Sequence, residues 1–233
     1  MKHPELATRQ LIAAGLLGAA SVGAFAPLNW FVLAWLTQAG LFILLSQEAS
    51  RDRRMRRGAL IGGAFGFGFF ITGVSWVYVS LSTFGGMPSV LAALATLLFC
   101  VFLALYPALA GALFVRYAPK HGWHRALLLA ALLTLGEWLR GWIFTGFPWL
   151  ALGYSQTPPS PLAGYVPLFG VFGVSLLTLF VGALLGESMR GLAAKQASPR
   201  ASAAPPILLT LAVLAGGAWL SDLRWTTPQG SPI

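Results

Sequence analysis

The chain has 233 residues, 57% of them hydrophobic and only 9% Asp, Glu, Lys or Arg, with a mean hydropathy of +0.76. An ordinary soluble domain carries roughly 25% charged residues, so this composition excludes disorder, a collagen-like or disulfide-stapled scaffold and nearly every soluble enzyme fold. The net charge of +9 therefore has to be placed against a membrane before any acidic partner is considered, and a separate soluble domain has no room.

At roughly 20 residues per spanning helix the apolar residues suffice for six or seven spans. The polar start, MKHPELATRQ, is not followed by a small-residue cleavage site and soluble sequence, which points to a retained first helix rather than a removed signal peptide. Apolar runs follow at about 11–26, 30–46, 58–82, 89–116, 125–145, 165–187 and 205–221. The first two are short and separated by Pro27, Leu28 and Asn29, so they read as a pair of short spans or as a helical hairpin dipping into the membrane. The predicted fold class is an all-α polytopic transmembrane bundle of about seven spans, with a broken or re-entrant segment after the fifth. Residues 1–222 form the membrane domain and 223–233 start a linker.

Basic residues fall between the runs in a one-sided pattern. Lys2, Arg9, Arg51, Arg53, Arg54, Arg56, Arg57, Arg116, Lys120, Arg125, Arg190, Lys195 and Arg200 lie on one side, against Arg140 and Arg224 on the other. The positive-inside rule puts the thirteen in the cytoplasm, and an odd number of spans puts the C-terminus on the opposite face. The charge is thus mostly topology with some attraction for anionic headgroups, and nucleic acid binding is not expected. His121 and His124 share a loop without a neighbouring Cys, Asp or Glu, so a metal site is not expected either. Cys100, the single cysteine, sits mid-run as a packing residue.

Within the third run, Gly62 and Gly66 have the spacing that lets two helices approach closely. Its far end carries Trp76 and Tyr78, readable as an interfacial aromatic belt, and then Phe84, Gly85, Gly86 and Pro88. More informative is the stretch 135–171, LGEWLRGWIFTGFPWLALGYSQTPPSPLAGYVPLFGV, uncharged from Gly141 to Gly186. Gly146 and Pro148 break helical geometry at membrane depth, and the freed backbone groups must be buried in protein or face a cavity. Trp142, Phe147, Trp149 and Tyr154 surround the break with apolar faces and polar tips, which suits a lipid better than a sugar or an ion. Glu137 and Arg140 share a helix face. They read either as a mutual ion pair or as an arginine that meets a lipid phosphate with the glutamate orienting it.

Several ordered motifs carry a resemblance: Phe25-Ala26-Pro27, Trp76-Val77-Tyr78-Val79-Ser80, Phe84-Gly85-Gly86-Met87-Pro88, Leu139-Arg140-Gly141-Trp142, Thr145-Gly146-Phe147-Pro148-Trp149 and Gly153-Tyr154-Ser155-Gln156. Together they resemble the bacterial apolipoprotein N-acyltransferases. The resemblance implies a multi-pass protein of the bacterial inner membrane, with its N-terminus cytoplasmic and its C-terminus periplasmic. It further implies ping-pong transfer of an acyl chain from a phospholipid donor to the N-terminal amine of a diacylglyceryl lipoprotein acceptor, without a cofactor. In that family a Glu-Lys-Cys triad in a periplasmic nitrilase-like domain performs the chemistry. No triad residue can be carried onto these 233 residues, so this chain is expected to be inactive alone and to supply anchoring and lipid access. The motif positions Tyr78, Phe84, Gly85, Gly86, Gly146, Phe147, Pro148, Trp149 and Tyr154 are assigned to substrate access, with Glu137 and Arg140 beside them. A small transporter or channel, and a non-enzymatic lipid-binding remnant, are the rival readings.

Overall fold

The computed structural model describes residues 4–51, 55–120, 122–193 and 199–225. Lys2, Arg53, Arg54, His121, Lys195 and the tail from residue 226 lie outside the described residues. Each apolar run holds one long helix, though not always over its whole length: α1 Pro4–Ser21, α2 Phe31–Arg51, α3 Met55–Gly73, α5 Ser89–Tyr117, α6 Trp123–Arg140, α7 Val166–Ala193 and α8 Pro199–Ser221. A short α4, Trp76–Val79, runs into a π-turn at Ser80–Phe84. The described residues contain no strand, so the fold is an all-α polytopic bundle.

Four segments are long and apolar enough to cross a membrane by themselves: α2, α5, α7 with its preceding turn, and α8. A fifth is α3 taken with the α4 segment across a 48° bend. The third run, expected as a single stretch from 58 to 82, breaks at Gly73, where the missing Cβ leaves room for the Leu150 side chain. The first two helices, α1 and α2, pack against each other. With 18 and 21 residues they are about 27 and 32 Å long at 1.5 Å per residue. They are tied together by Ser21 Oγ donating to Thr37 Oγ1 at 2.6 Å in the interior.

Close backbone approach organises the bundle around α3. A Cβ on Gly58, Gly62 or Gly66 would run into Gly111, the Pro107 carbonyl or the Pro107 ring of α5. The small-residue spacing thus serves packing within one chain. On another face of α3, Gly68 meets Gly15, and Gly18 of α1 meets Phe65 and Phe69. Cys100 is fully buried in a cluster with Phe69, Phe70, Val74 and Leu103, as a packing residue should be.

The two ends of the bundle differ in chemistry. At one end Arg57 pairs with Glu48 at 3.5 Å and Arg190 with Glu187 at 2.7 Å. Gly122 N–H donates to Glu187 Oε1 at 3.1 Å. Arg125, only 2% exposed, donates to the carbonyls of Lys120 at 3.0 Å and Ser46 at 2.9 Å. The other end collects the turns 22–30, 74–88 and 141–165, which are uncharged.

Candidate functional site

Helix α6 stops at Arg140 and the chain folds straight back on itself. Phe147 N–H donates to the Arg140 carbonyl at 2.8 Å. Three non-glycine residues in this return adopt left-handed backbone: Phe144 (φ 52°), Thr145 (φ 73°) and Leu150 (φ 60°). Such conformations cost energy and persist only where surroundings hold them. Gly146 has φ 85°, and a Cβ there would overlap the Gly141 carbonyl oxygen, so only glycine fits.

Arg140 supplies the restraint. Its side chain is 3% exposed, and Nη1 donates to the Phe147 carbonyl at 3.1 Å and to the Trp149 carbonyl. The guanidinium also lies over the Phe70 ring, 5.1 Å from its centroid. Glu137 does not pair directly with Arg140 among the described residues. Its Oε1 instead accepts from Leu152 N–H at 3.1 Å. Where the sequence left an ion pair and a phosphate contact open, the structure shows both side chains engaged with the backbone of the returning segment. Gly153 N–H donates to Ser175 Oγ at 2.8 Å, and Gln156 Nε2 reaches the Phe31 carbonyl at 3.4 Å. These bonds satisfy several backbone groups of the break from within the protein, as an apolar surrounding requires.

The aromatic side chains face outward from this scaffold. Phe147 and Trp149 stack at 5.2 Å, and Trp149 lies 6.1 Å from Trp76 across the bend after α3. A groove of about 410 Å³ is lined by Phe25, Pro148, Trp149, Leu150 and Tyr154. On the other side of the Phe147 ring a pocket of about 230 Å³ lies between α5 and the return, with Phe99, Phe102, Phe144 and Arg140 in its wall. Phe99 meets Phe147 edge-on at 4.9 Å.

The structure therefore brings together Gly146, Phe147, Pro148, Trp149, Tyr154, Glu137 and Arg140. Tyr78 sits on α4 beside this region, while Phe84, 84% exposed, and Gly85 and Gly86 lie off both cavities. Phe25, Phe99 and Phe102 are wall residues that sequence reasoning did not assign to the site. Phe25 stood in a quoted motif, but Phe99 and Phe102 lie in an unbroken apolar run that marks no face. His124 stacks on Trp123 at 3.7 Å at the opposite, basic end. What the site offers chemically is apolar surface with tryptophan and tyrosine tips, built on a rigid backbone return. It suits holding a chain with a polar head.

Residues 17–184 match the family model described as the apolipoprotein N-acyltransferase N-terminal domain. Among curated relatives, the apolipoprotein N-acyltransferase of Nitrosomonas europaea is 41% identical over 229 residues, covering 96% of this chain and 42% of that protein. That of Chromobacterium violaceum is 42% identical over 224 residues, covering 96% and 41%. The Vibrio cholerae protein is 39% identical over 219 residues, covering 94% and 40%. The chain thus spans about two fifths of the length of these relatives. On the extent of the domain match and of these identities, the chain belongs to the apolipoprotein N-acyltransferase family.

Proposed function

We propose that these 233 residues are the membrane part of an enzyme that moves a fatty acyl chain from a phospholipid to the N-terminal amine of a diacylglyceryl-cysteine lipoprotein. In this reading residues 1–222 anchor the protein in the bacterial inner membrane. The basic end faces the cytoplasm, residues 141–165 and the C-terminus face the periplasm, and residues 223–233 lead toward a periplasmic catalytic region. The observation that carries the reading is the groove beside Trp149 and Tyr154: lined by uncharged and aromatic residues and open at the end of the bundle opposite the Arg57, Arg125 and Arg190 cluster. An acyl chain would lie against Phe25, Pro148 and Trp149, with its headgroup level with the tyrosine and tryptophan tips. Tyr78, Phe84, Gly85 and Gly86 would form the entrance from the bilayer, and Gly146 and Phe147 the floor.

Acyl transfer needs a nucleophile, and these residues supply none suited to it. Cys100 is fully buried mid-helix among phenylalanines and lines neither the groove nor the neighbouring pocket. We infer that this chain by itself forms no acyl-enzyme and that its part is to admit and orient both lipids. The test uses the full-length protein with Trp149→Ala in bacterial membranes. Trp149 is 54% exposed, so removing it should leave insertion intact while N-acylation of a labelled lipoprotein substrate falls at least about tenfold, the loss expected when a main apolar anchor is truncated. Equal losses of insertion and acylation would make Trp149 a packing residue and sink the reading. Undiminished acylation would favour a bundle that only anchors.

A further inference from the structure

Beneath the returning segment lies a third, smaller cavity of about 50 Å³, whose wall includes Gln38 of α2, Tyr106 of α5, and Glu137 and Arg140 of α6. Gln38 is 2% exposed. Its Oε1 and Glu137 Oε2 are buried, and neither has a hydrogen-bond partner among the described residues. The remaining wall is largely apolar, with Phe65, Phe69 and Phe70 contributing.

Two buried acceptors on side chains that line one small space call for a donor, because an unpaired oxygen in an apolar interior is costly. An apolar occupant would leave both oxygens unpaired. A metal cation is disfavoured by the Arg140 guanidinium in the same wall. Water has two O–H donors and needs only roughly 10–15 Å³ of such space. The same glutamate accepts from Leu152 N–H through its other oxygen, so a molecule bridging Gln38 to Glu137 would tie α2 to the segment that carries Trp149.

We propose that this cavity binds ordered water bridging Gln38 Oε1 and Glu137 Oε2, and that Gln38 is thereby a positioning residue for residues 147–152. The functional weight of the inference rests on the proposed lipid-access role of that segment. The water and the positioning do not.

Solid-state NMR of the 233-residue chain in lipid bilayers tests the first half. Magnetisation transfer from water should reach the Gln38 side-chain amide and the Leu152 amide, although both lie within an apolar bundle. Absence of transfer at both overturns the proposal. Amide exchange in the same samples tests the second half. Gln38→Leu should accelerate exchange at Leu152 and Gly153 about tenfold, as expected when a local restraint is lost, without accelerating the mid-helix amides of α3 and α5. Gln38→Asn, which keeps an acceptor that water can reach, should stay within about threefold of the parent chain. Unchanged exchange in Gln38→Leu, or acceleration everywhere alike, overturns the positioning role. If exchange responds as stated while the full-length Gln38→Leu enzyme acylates normally, the inference stands and the lipid-access reading fails.

Discussion

Replacing Gly146 by alanine isolates the backbone geometry on which the site depends. Two penalties add there. The residue has φ 85°, where an L side chain costs roughly 1–2 kcal/mol. Its new Cβ would also overlap the Gly141 carbonyl oxygen, and forcing an extra methyl into packed structure costs about 1–3 kcal/mol. Gly86 is the internal control. It has φ 64° but nothing within 4 Å of its would-be Cβ, so Gly86→Ala should cost only the first penalty. Cys100, single and fully buried, supplies the assay, since a thiol-reactive fluorophore reports its exposure on heating. At about 2–4 °C per kcal/mol for a chain of this size, an extra 2 kcal/mol lowers the Gly146→Ala midpoint about 4–8 °C below that of Gly86→Ala. Equal midpoints would mean that the return does not fold tightly onto the end of α6, and the geometry argued for Arg140 would go with it.

Other substitutions probe the rest of the scaffold. Gly62→Leu drives a branched side chain into the Pro107 carbonyl; it should separate α3 from α5 and leave Cys100 labelled at room temperature, whereas Gly63→Ala, facing only the Ala108 methyl at 3.4 Å, should not. Arg125→Met strips donors from the Lys120 and Ser46 carbonyls and should lower stability by about 2–6 kcal/mol, at roughly 1–3 kcal/mol per unsatisfied buried group. It should be read in the same thermal assay. Removing either partner of the Ser21–Thr37 bond, as Ser21→Ala or Thr37→Val, should cost about 1 kcal/mol each, and the double variant should show a coupling near that size; independent effects would place the bond outside the stable core.

Hydropathy located the long helices because each is bounded by charge or by proline and glycine. It misjudged their ends where local chemistry intervenes. The fifth run was expected to reach residue 145, but α6 ends at Arg140, since Arg140 turns its donors onto the chain that follows instead of letting the helix continue. The last helix begins at Pro199 rather than 205 and carries Pro205 and Pro206 inside. The aromatic return at 142–154 was legible because glycine, proline and tryptophan together have no use in plain lipid-facing helix. Phe99 and Phe102 were not legible, since α5 is apolar on every side and no periodicity distinguishes a groove wall from lipid-facing filler. Gln38 did leave a signal, a lone amide in the middle of an apolar run, but its significance depends on Glu137 approaching from a helix far along the chain.

Helix α6 carries a buried arginine at each end, and each grips the carbonyls of an adjoining turn: Arg125 those beside α5, Arg140 those under Trp149. The rod is thus bolted to the turns at both of its ends through its own side chains, so, if it crosses the bilayer as proposed, its depth is fixed by polypeptide and not by lipid thickness. A push on the loop at 117–122 would be transmitted along one stiff strut to the aromatic rim, some 27 Å away at 1.5 Å per residue. Bilayers of different width should therefore leave the rim's height relative to the basic loop unchanged.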